Sequence, residues 1–226
     1  SLESSSPPLI GLIPLGSGND LARSLSAMTD PDAIVSQIEA ARARSIDIGK
    51  VKAHDEKGGH VSRYFINECS MGMGPEVVRR VNEGGGRGLA ASLMYSKAIV
   101  RTFFSLKPEK IEVKADNFTW SGKSRVLAIA NGQTFGHGIY IGPGAKMDDG
   151  VLNLFVASNP SLLRFLLLLQ QLKRPAQSKD KCLTYWLTRF VDVRGERPLP
   201  VEADGEPIGF SPMRCEIVKN KLRFLA

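Results

Sequence analysis

Three stretches of this sequence combine residue types and spacings suited to chemistry. Pro14-Leu15-Gly16-Ser17-Gly18-Asn19-Asp20-Leu21-Ala22-Arg23 places glycines between an apolar run and a helix-forming run. Such an arrangement exposes backbone amides at the positive end of a helix dipole, where phosphate binds, and Ser17 adds a hydroxyl donor. Local chemistry leaves an ordinary strand-to-helix turn, with Asn19 or Asp20 capping the helix, equally open. The stretch is not a full dinucleotide fingerprint, because Leu21 stands where the third glycine belongs. Gly122-Lys123-Ser124 does not end a Walker A loop either, because Asn117 occupies the position of the required upstream glycine.

The second stretch is Asp148-Asp149-Gly150, preceded by Gly142-Pro143-Gly144-Ala145-Lys146. Carboxylates beside a tight turn suit Mg²⁺, a hard cation that also accepts backbone carbonyls and water, but aspartates equally form surface hairpins. The third, Glu202-Ala203-Asp204-Gly205-Glu206-Pro207, sets three acids within five positions. Clustered carboxylates shift one another's proton affinity and can leave one as a base; the bland alternative is a hairpin turn. His54, His60 and His137 are scattered near glycines and read as surface or loop residues rather than ligands. Cys69, Cys182 and Cys215 are odd in number and widely spaced, which suggests neither a disulfide framework nor a zinc site and fits a reducing compartment.

The elements that must position these motifs change character along the chain. Leu9 to Ile13 reads as a short strand, followed by a helix through Leu21, Ala22 and Leu25. A second helix follows Asp30-Pro31-Asp32, with Ile34, Ile38 and Ala41 on one face. From Ser45 the pattern is short β-rich runs: Ser45 to Val51, Tyr64 to Asn67, Lys110 to Val113, Val126 to Ala130, Val151 to Ala157, Val191 to Val193, Val201 to Ala203 and Cys215 to Val218. Lys221 to Leu225 is a further candidate strand. Helical stretches interrupt at Ala90 to Phe104 and Ser161 to Lys173, and Gly84-Gly85-Gly86 reads as a loop. Strands without regular intervening helices predict an antiparallel sandwich.

The 226 residues, 42% hydrophobic and 23% charged, exclude disordered, collagen-like and low-complexity chains. A net charge of +7 favours anionic partners without choosing among phosphates, anionic lipids and nucleic acid. Neither a basic recognition helix nor a run of strand aromatics favours nucleic acid. Leu162 to Leu172 is apolar on nearly every face yet too short to cross a bilayer. It reads as a buried helix, or as a lipid- or subunit-facing patch flanked by Lys173, Arg174, Lys179 and Lys181, which leaves a homodimer open.

The motifs occur in a fixed order: PLGSGNDLAR at 14–23, ANGQTFGHGIYIGPGAKMDDGVLNLFV at 130–156 and VEADGEPIG at 201–209, with Asp47-Ile48-Gly49 and Arg63-Tyr64-Phe65-Ile66-Asn67 after the first. In these, nearly the whole chain resembles the diacylglycerol kinase catalytic-domain family, which includes bacterial lipid kinases and sphingosine and ceramide kinases. The resemblance implies the tail of a NAD kinase-like α/β nucleotide-binding domain (residues 1–44) followed by an antiparallel β-sandwich domain (45–226), whose last strand is able to return to the first domain. It implies ATP- and Mg²⁺-dependent transfer of a γ-phosphate to a lipid hydroxyl by a cytoplasmic enzyme associating peripherally with membranes. Gly16, Ser17, Gly18 and Asn19 would approach the nucleotide phosphates. Asp20 and Asp47 resemble acids that organise the catalytic Mg²⁺, and Glu206 matches the catalytic acid that activates the lipid hydroxyl. Asp149, with the carbonyls of Lys146 and Val151, matches a second, structural Mg²⁺ site. The family's GGDGT motif occurs nowhere in the sequence, so the resemblance implies a chain that starts after the first half of the nucleotide domain and is inactive alone. A noncatalytic lipid-binding or regulatory module is the alternative expectation.

Overall fold

A computed structural model describes residues 9–16, 18–40, 42–84 and 89–225, without the side chains at 82, 84 and 89–94. Ser17, Ala41 and the Gly85-Gly86 part of the expected loop lie outside the described residues. In chain order the elements are β1 (Leu9–Ile10), α1 (Asp20–Leu25), α2 (Pro31–Ala40), β2 (Ala43–His54), β3 (His60–Phe65), β4 (Glu68–Gly72), α3 (Met73–Gly84), α4 (Leu89–Ser105), β5 (Glu109–Ala115), β6 (Thr119–Ser124) and β7 (Val126–Ala130). There follow β8 (Thr134–Phe135), β9 (Ile139–Tyr140), β10 (Leu152–Ala157), α5 (Leu162–Gln171), β11 (Leu183–Thr188), β12 (Phe190–Gly195), β13 (Pro200–Ala203) and β14 (Glu206–Leu225).

One sheet holds all the strands but two, in the order β11-β10-β7-β4-β13-β14-β12-β5-β6, with β2 and β1 also pairing along β14 and β3 pairing β2. Every pairing is antiparallel except β1 against β14. The sheet curls until its two edges meet. Trp186 on β11 stacks on Phe118 beyond the end of β5, ring centroids 4.8 Å apart, and Thr188 donates a short hydrogen bond to Asp116. The curl encloses a core of Val51, Met71, Ile111, Leu127, Leu154, Val193 and Val201 among others, which is the expected antiparallel sandwich.

Strand periodicity sends alternate side chains to opposite faces, and the central strands are buried on both. In β7, Leu127 and Ile129 enter the inner core, whereas Val126, Ala128 and Ala130 point to a second apolar layer. That layer is completed by α3, α4 and α5 through Met73, Val77, Ile99, Phe103, Phe165 and Leu168. A third cluster, Leu25, Ile46, Ile48, Met147, Leu222 and Phe224, seats α1 against β2 and the end of β14.

Helix α3 was not expected from its sequence. Pro75 sits in its first turn, where the missing N–H costs nothing, and Glu76 pairs with Arg79 and Arg80 at helical spacing. The segments Cys215 to Val218 and Lys221 to Leu225 are one strand. A register shift between Val218 and Leu222 on β14, with Asn220 at φ 52°, bulges the chain between them. In α5, Phe165 and Leu168 are buried, as is Leu172 at its C-cap, while Leu163, Leu166 and Leu167 form an exposed stripe at the i, i+3, i+4 spacing of one helix face. Among the described residues no helix is long and apolar enough to cross a membrane.

Candidate functional site

Between the sheet and helices α3, α4 and α5 lies a cavity of about 450 Å³. Its walls are apolar, from Met73, Val77, Ile99, Phe155, Phe165, Leu168, Leu172 and Leu183. Its polar end draws on four of the motifs: Gly18 and Asp20 from the first, Asn67 at the end of the Arg63–Asn67 segment with Glu68 following it, Gly136 and His137 from the second, and Glu202, Asp204 and Gly205 from the third, whereas Asp47-Ile48-Gly49 stays outside it.

Two aspartates hold this end together. The Asp20 carboxylate accepts from the backbone amides of His137 (2.9 Å) and Gly138 (2.8 Å) and pairs with Arg23 (2.9 Å). Asp20 and Asn19 therefore do not cap α1 with their side chains. Asn19 occupies the cap position at φ 50° without a side-chain cap bond, and its Nδ2 donates to Pro14 O (3.3 Å). Asp204 accepts from the amides of Ile66, Asn67 and Glu68 at 2.6, 2.9 and 2.9 Å. It stands at φ 49° before Gly205 at φ 86°, the two left-handed residues that a tight hairpin with a twist matching its strands requires.

Glu202 is 1% exposed; its carboxylate accepts from Ser70 Oγ and, at 2.7 Å, from the Gly205 amide. Ser70 lies opposite Glu202 in the β4–β13 ladder, and Glu68, two residues before Ser70, shares its face. Burial, reinforced by the charge of Glu202, pushes the Glu68 carboxyl well above the usual range. The Tyr95 phenol is also pushed up, chiefly by burial and then by the charges of Asp20, Glu68 and Glu202.

A buried acid that keeps its proton costs stability as pH rises. The unfolded chain releases that proton near the ordinary value of 4.5, whereas the folded chain retains it, so folding weakens with increasing pH. Glu68→Gln removes the linkage. Urea unfolding is expected to show equal stability of parent and variant below about pH 4.5. Above it the variant gains by up to about 1.4 kcal/mol per pH unit; a gap independent of pH would show that Glu68 ionises freely.

Asp47, 2% exposed, accepts from the amides of Gly150 and Asn220, both at 2.8 Å, and donates its own amide to Met147 O (2.7 Å). Its carbonyl accepts from Asn131 Nδ2 (2.9 Å). It thus joins β2 to the 146–151 loop and to the bulge of β14. In that loop Asp149 is exposed and its Oδ1 accepts from the Val151 amide (3.1 Å). One carboxylate plus the carbonyls of Lys146 and Val151 is a hard oxygen set that fits Mg²⁺ completed by water.

Glu206 is exposed and does not line the cavity; it opens on an adjoining groove with Pro75, Val78 and Arg79, and Glu202 borders both spaces. Sequence reasoning missed Glu68 and the apolar walls. The available signal was a carboxylate inside Phe65-Ile66-Asn67-Glu68-Cys69-Ser70-Met71, a run otherwise suited to burial.

A curled antiparallel sandwich backed by three helices, with ordered glycine and acid motifs at one end of an apolar cavity, defines a NAD kinase-like β-sandwich protein. The family model described as the YegS C-terminal NAD kinase beta sandwich-like domain matches residues 67–226, and the chain belongs to that family. The diacylglycerol kinase catalytic domain model matches residues 2–51. The probable lipid kinase YegS-like of Citrobacter koseri is 28% identical over 216 residues, covering 96% of this chain and 68% of that protein. The probable lipid kinase YegS of Salmonella arizonae is 27% identical over 217 residues, 96% of this chain and 68% of that protein. In fold, the chain is similar to a diacylglycerol kinase from Bacillus anthracis str. Sterne, with TM-score 0.65, 15% identity and coverage of 96% and 66% of the two chains.

Proposed function

We propose that this chain carries the lipid site and part of the nucleotide site of an ATP- and Mg²⁺-dependent lipid kinase. The observation that carries this reading is the cavity: apolar walls suited to an alkyl chain end at a polar mouth shared with the Gly16–Asp20 segment. A buried alkyl chain gains about 0.8 kcal/mol per CH₂, so the tail anchors the lipid and leaves its head beside the acids. The amides around Gly16, Gly18 and Asn19 would meet the nucleotide phosphates, and Ser17 would add its hydroxyl.

In the transfer, the lipid oxygen attacks the γ-phosphorus, ADP leaves, and the hydroxyl proton passes to the carboxylate of Glu206. Mg²⁺ would neutralise the phosphates, with Asp20 and Asp47 arranging its surroundings. Asp47 does so through the backbone it holds. Asp149 with the carbonyls of Lys146 and Val151 would hold the structural ion, so Asp149→Ala is expected to abolish the rise in melting temperature that Mg²⁺ gives the parent. An equal rise in both proteins would remove the ion from this loop. The exposed Leu163, Leu166 and Leu167 stripe beside Lys173 and Arg174 supports peripheral contact with a membrane from the cytoplasm.

The test is transfer of labelled phosphate from Mg·ATP to a lipid panel in mixed micelles, by this chain and by a form extended upstream. Labelling of a lipid by the extended form supports the kinase. Vesicle binding by both forms without any labelling would favour a noncatalytic lipid-binding module.

A further inference from the structure

His54 and His60, expected from sequence to be surface or loop residues, are the last residue of β2 and the first of β3. They stand directly opposite each other in the antiparallel ladder, and directly opposed residues project to the same face of a sheet. Their ring centroids lie 4.8 Å apart, with the planes inclined at 52°. His54 Nδ1 is 3.1 Å from Pro212 O. A carbonyl oxygen only accepts, so Nδ1 carries the proton and the neutral ring presents its lone pair at Nε2. The connection joining the two strands is tied down as well. Asp55 Oδ1 accepts from the amides of Lys57 and Gly59, both at 2.8 Å, and the Asp55 amide donates to Gly59 O at 2.8 Å.

Two imidazoles bound side by side on one ion, with nitrogen-to-metal distances of about 2.0–2.1 Å and an angle between a right angle and the tetrahedral one, hold their ring centres roughly 4.5–5.3 Å apart. The separation of His54 and His60 falls within that range, and His60, being exposed, can turn a ring nitrogen toward the same point as His54 Nε2. We propose that His54 and His60 chelate a divalent transition ion of the Zn²⁺ class, with water completing its coordination. The backbone bond at His54 Nδ1 is the outer contact that orients a metal-binding histidine. Imidazole suits Zn²⁺, Ni²⁺ and Cu²⁺, whereas Mg²⁺ prefers oxygen, so this site differs in kind from the Asp149 loop. Among the described residues β3 pairs only with β2. The bound ion clips the start of this edge strand to β2 and, through the His54–Pro212 bond, to β14. The inference stands apart from the lipid-kinase reading, since neither histidine lines the cavity.

The test is titration of the full chain, without a histidine tag, with ZnCl₂ in excess Mg²⁺ at neutral pH, followed by calorimetry and by NMR of the histidine rings. A single Zn²⁺ is expected to bind, with the ring signals of His54 and His60 shifting together while those of His137 stay in place. Once one nitrogen holds the ion the other is already at hand, so loss of either imidazole is expected to weaken binding about tenfold or more. His60→Gln removes one ligand from an exposed position and leaves the His54–Pro212 bond in place. Hydrogen exchange of the β3 amides is expected to slow with Zn²⁺ in the parent and not in the variant. Absence of Zn²⁺ binding, equal affinity in parent and His60→Gln, or ring shifts that spare either His54 or His60 overturns the proposal. Two-ring binding with unchanged exchange in β3 overturns the clip.

Discussion

In the form extended upstream, Glu206→Ala is expected to lower phosphate transfer by about 10²–10⁴-fold, the usual contribution of a positioned general base, without lowering the melting temperature. The stability half follows from exposure. Glu206 begins β14 at the solvent side of the Asp204-Gly205 turn, and among the described residues no side-chain hydrogen bond ties it to the fold. The catalytic half follows from where it stands: Glu202 borders both the cavity and the groove that Glu206 opens on. On the lipid-kinase reading, a lipid hydroxyl at the polar end of the cavity would meet Glu206 beside the wall that Glu202 forms. Steady-state transfer measured beside a thermal melt separates the two halves. Normal transfer would move the role of base to another carboxylate, and a lowered melt would make the loss of activity structural.

Asp47→Ala is expected to destabilise the protein by about 3–5 kcal/mol. Two charge-assisted hydrogen bonds disappear, and the Gly150 and Asn220 amides lose their partner in a buried site. For a chain of this size that corresponds to a fall in melting temperature of roughly 6–20 °C. Asp47→Asn keeps one acceptor oxygen but turns an NH₂ group toward a backbone N–H, so it recovers only part of the loss. A change below about 1 kcal/mol in Asp47→Ala would mean that water replaces the carboxylate. Because the bond to Gly150 fixes the loop carrying Asp149, both variants are also expected to weaken the melting response to Mg²⁺.

The strands that sequence reveals best are those whose faces are both claimed by cores. Val126 to Ala130 is an uninterrupted apolar run because odd and even positions serve different clusters. Strand β4 was hidden because Glu68 and Ser70 interrupt its apolar pattern, and Ser70 is satisfied only by Glu202 opposite it on β13. Helix α3 was hidden because Gly72, Gly74 and Pro75 read as breakers. The bulge at Asn220 divided one strand into two apparent ones, since Lys219 to Lys221 interrupts the hydrophobic alternation. The site motifs were legible as local patterns of glycine and acid. Their meeting place was not, because Asp20 reaches the His137 segment and Asp204 reaches the Ile66 segment across wide gaps in sequence, contacts that only the sheet's register creates.

Strand β14 gives the molecule a particular assembly problem. It pairs with β13 at its start, with β12 and β2 along its length, and with β1 at its end, where Leu9 meets Arg223. Segments from opposite ends of the described chain must therefore find each other before the sheet is complete, and such non-local pairing makes folding slow. Until β14 docks, β2, β12 and β13 all present open edges, the kind of surface on which partly folded chains associate. The yield of soluble protein should then depend less on the depth of the core than on how quickly this single strand is captured.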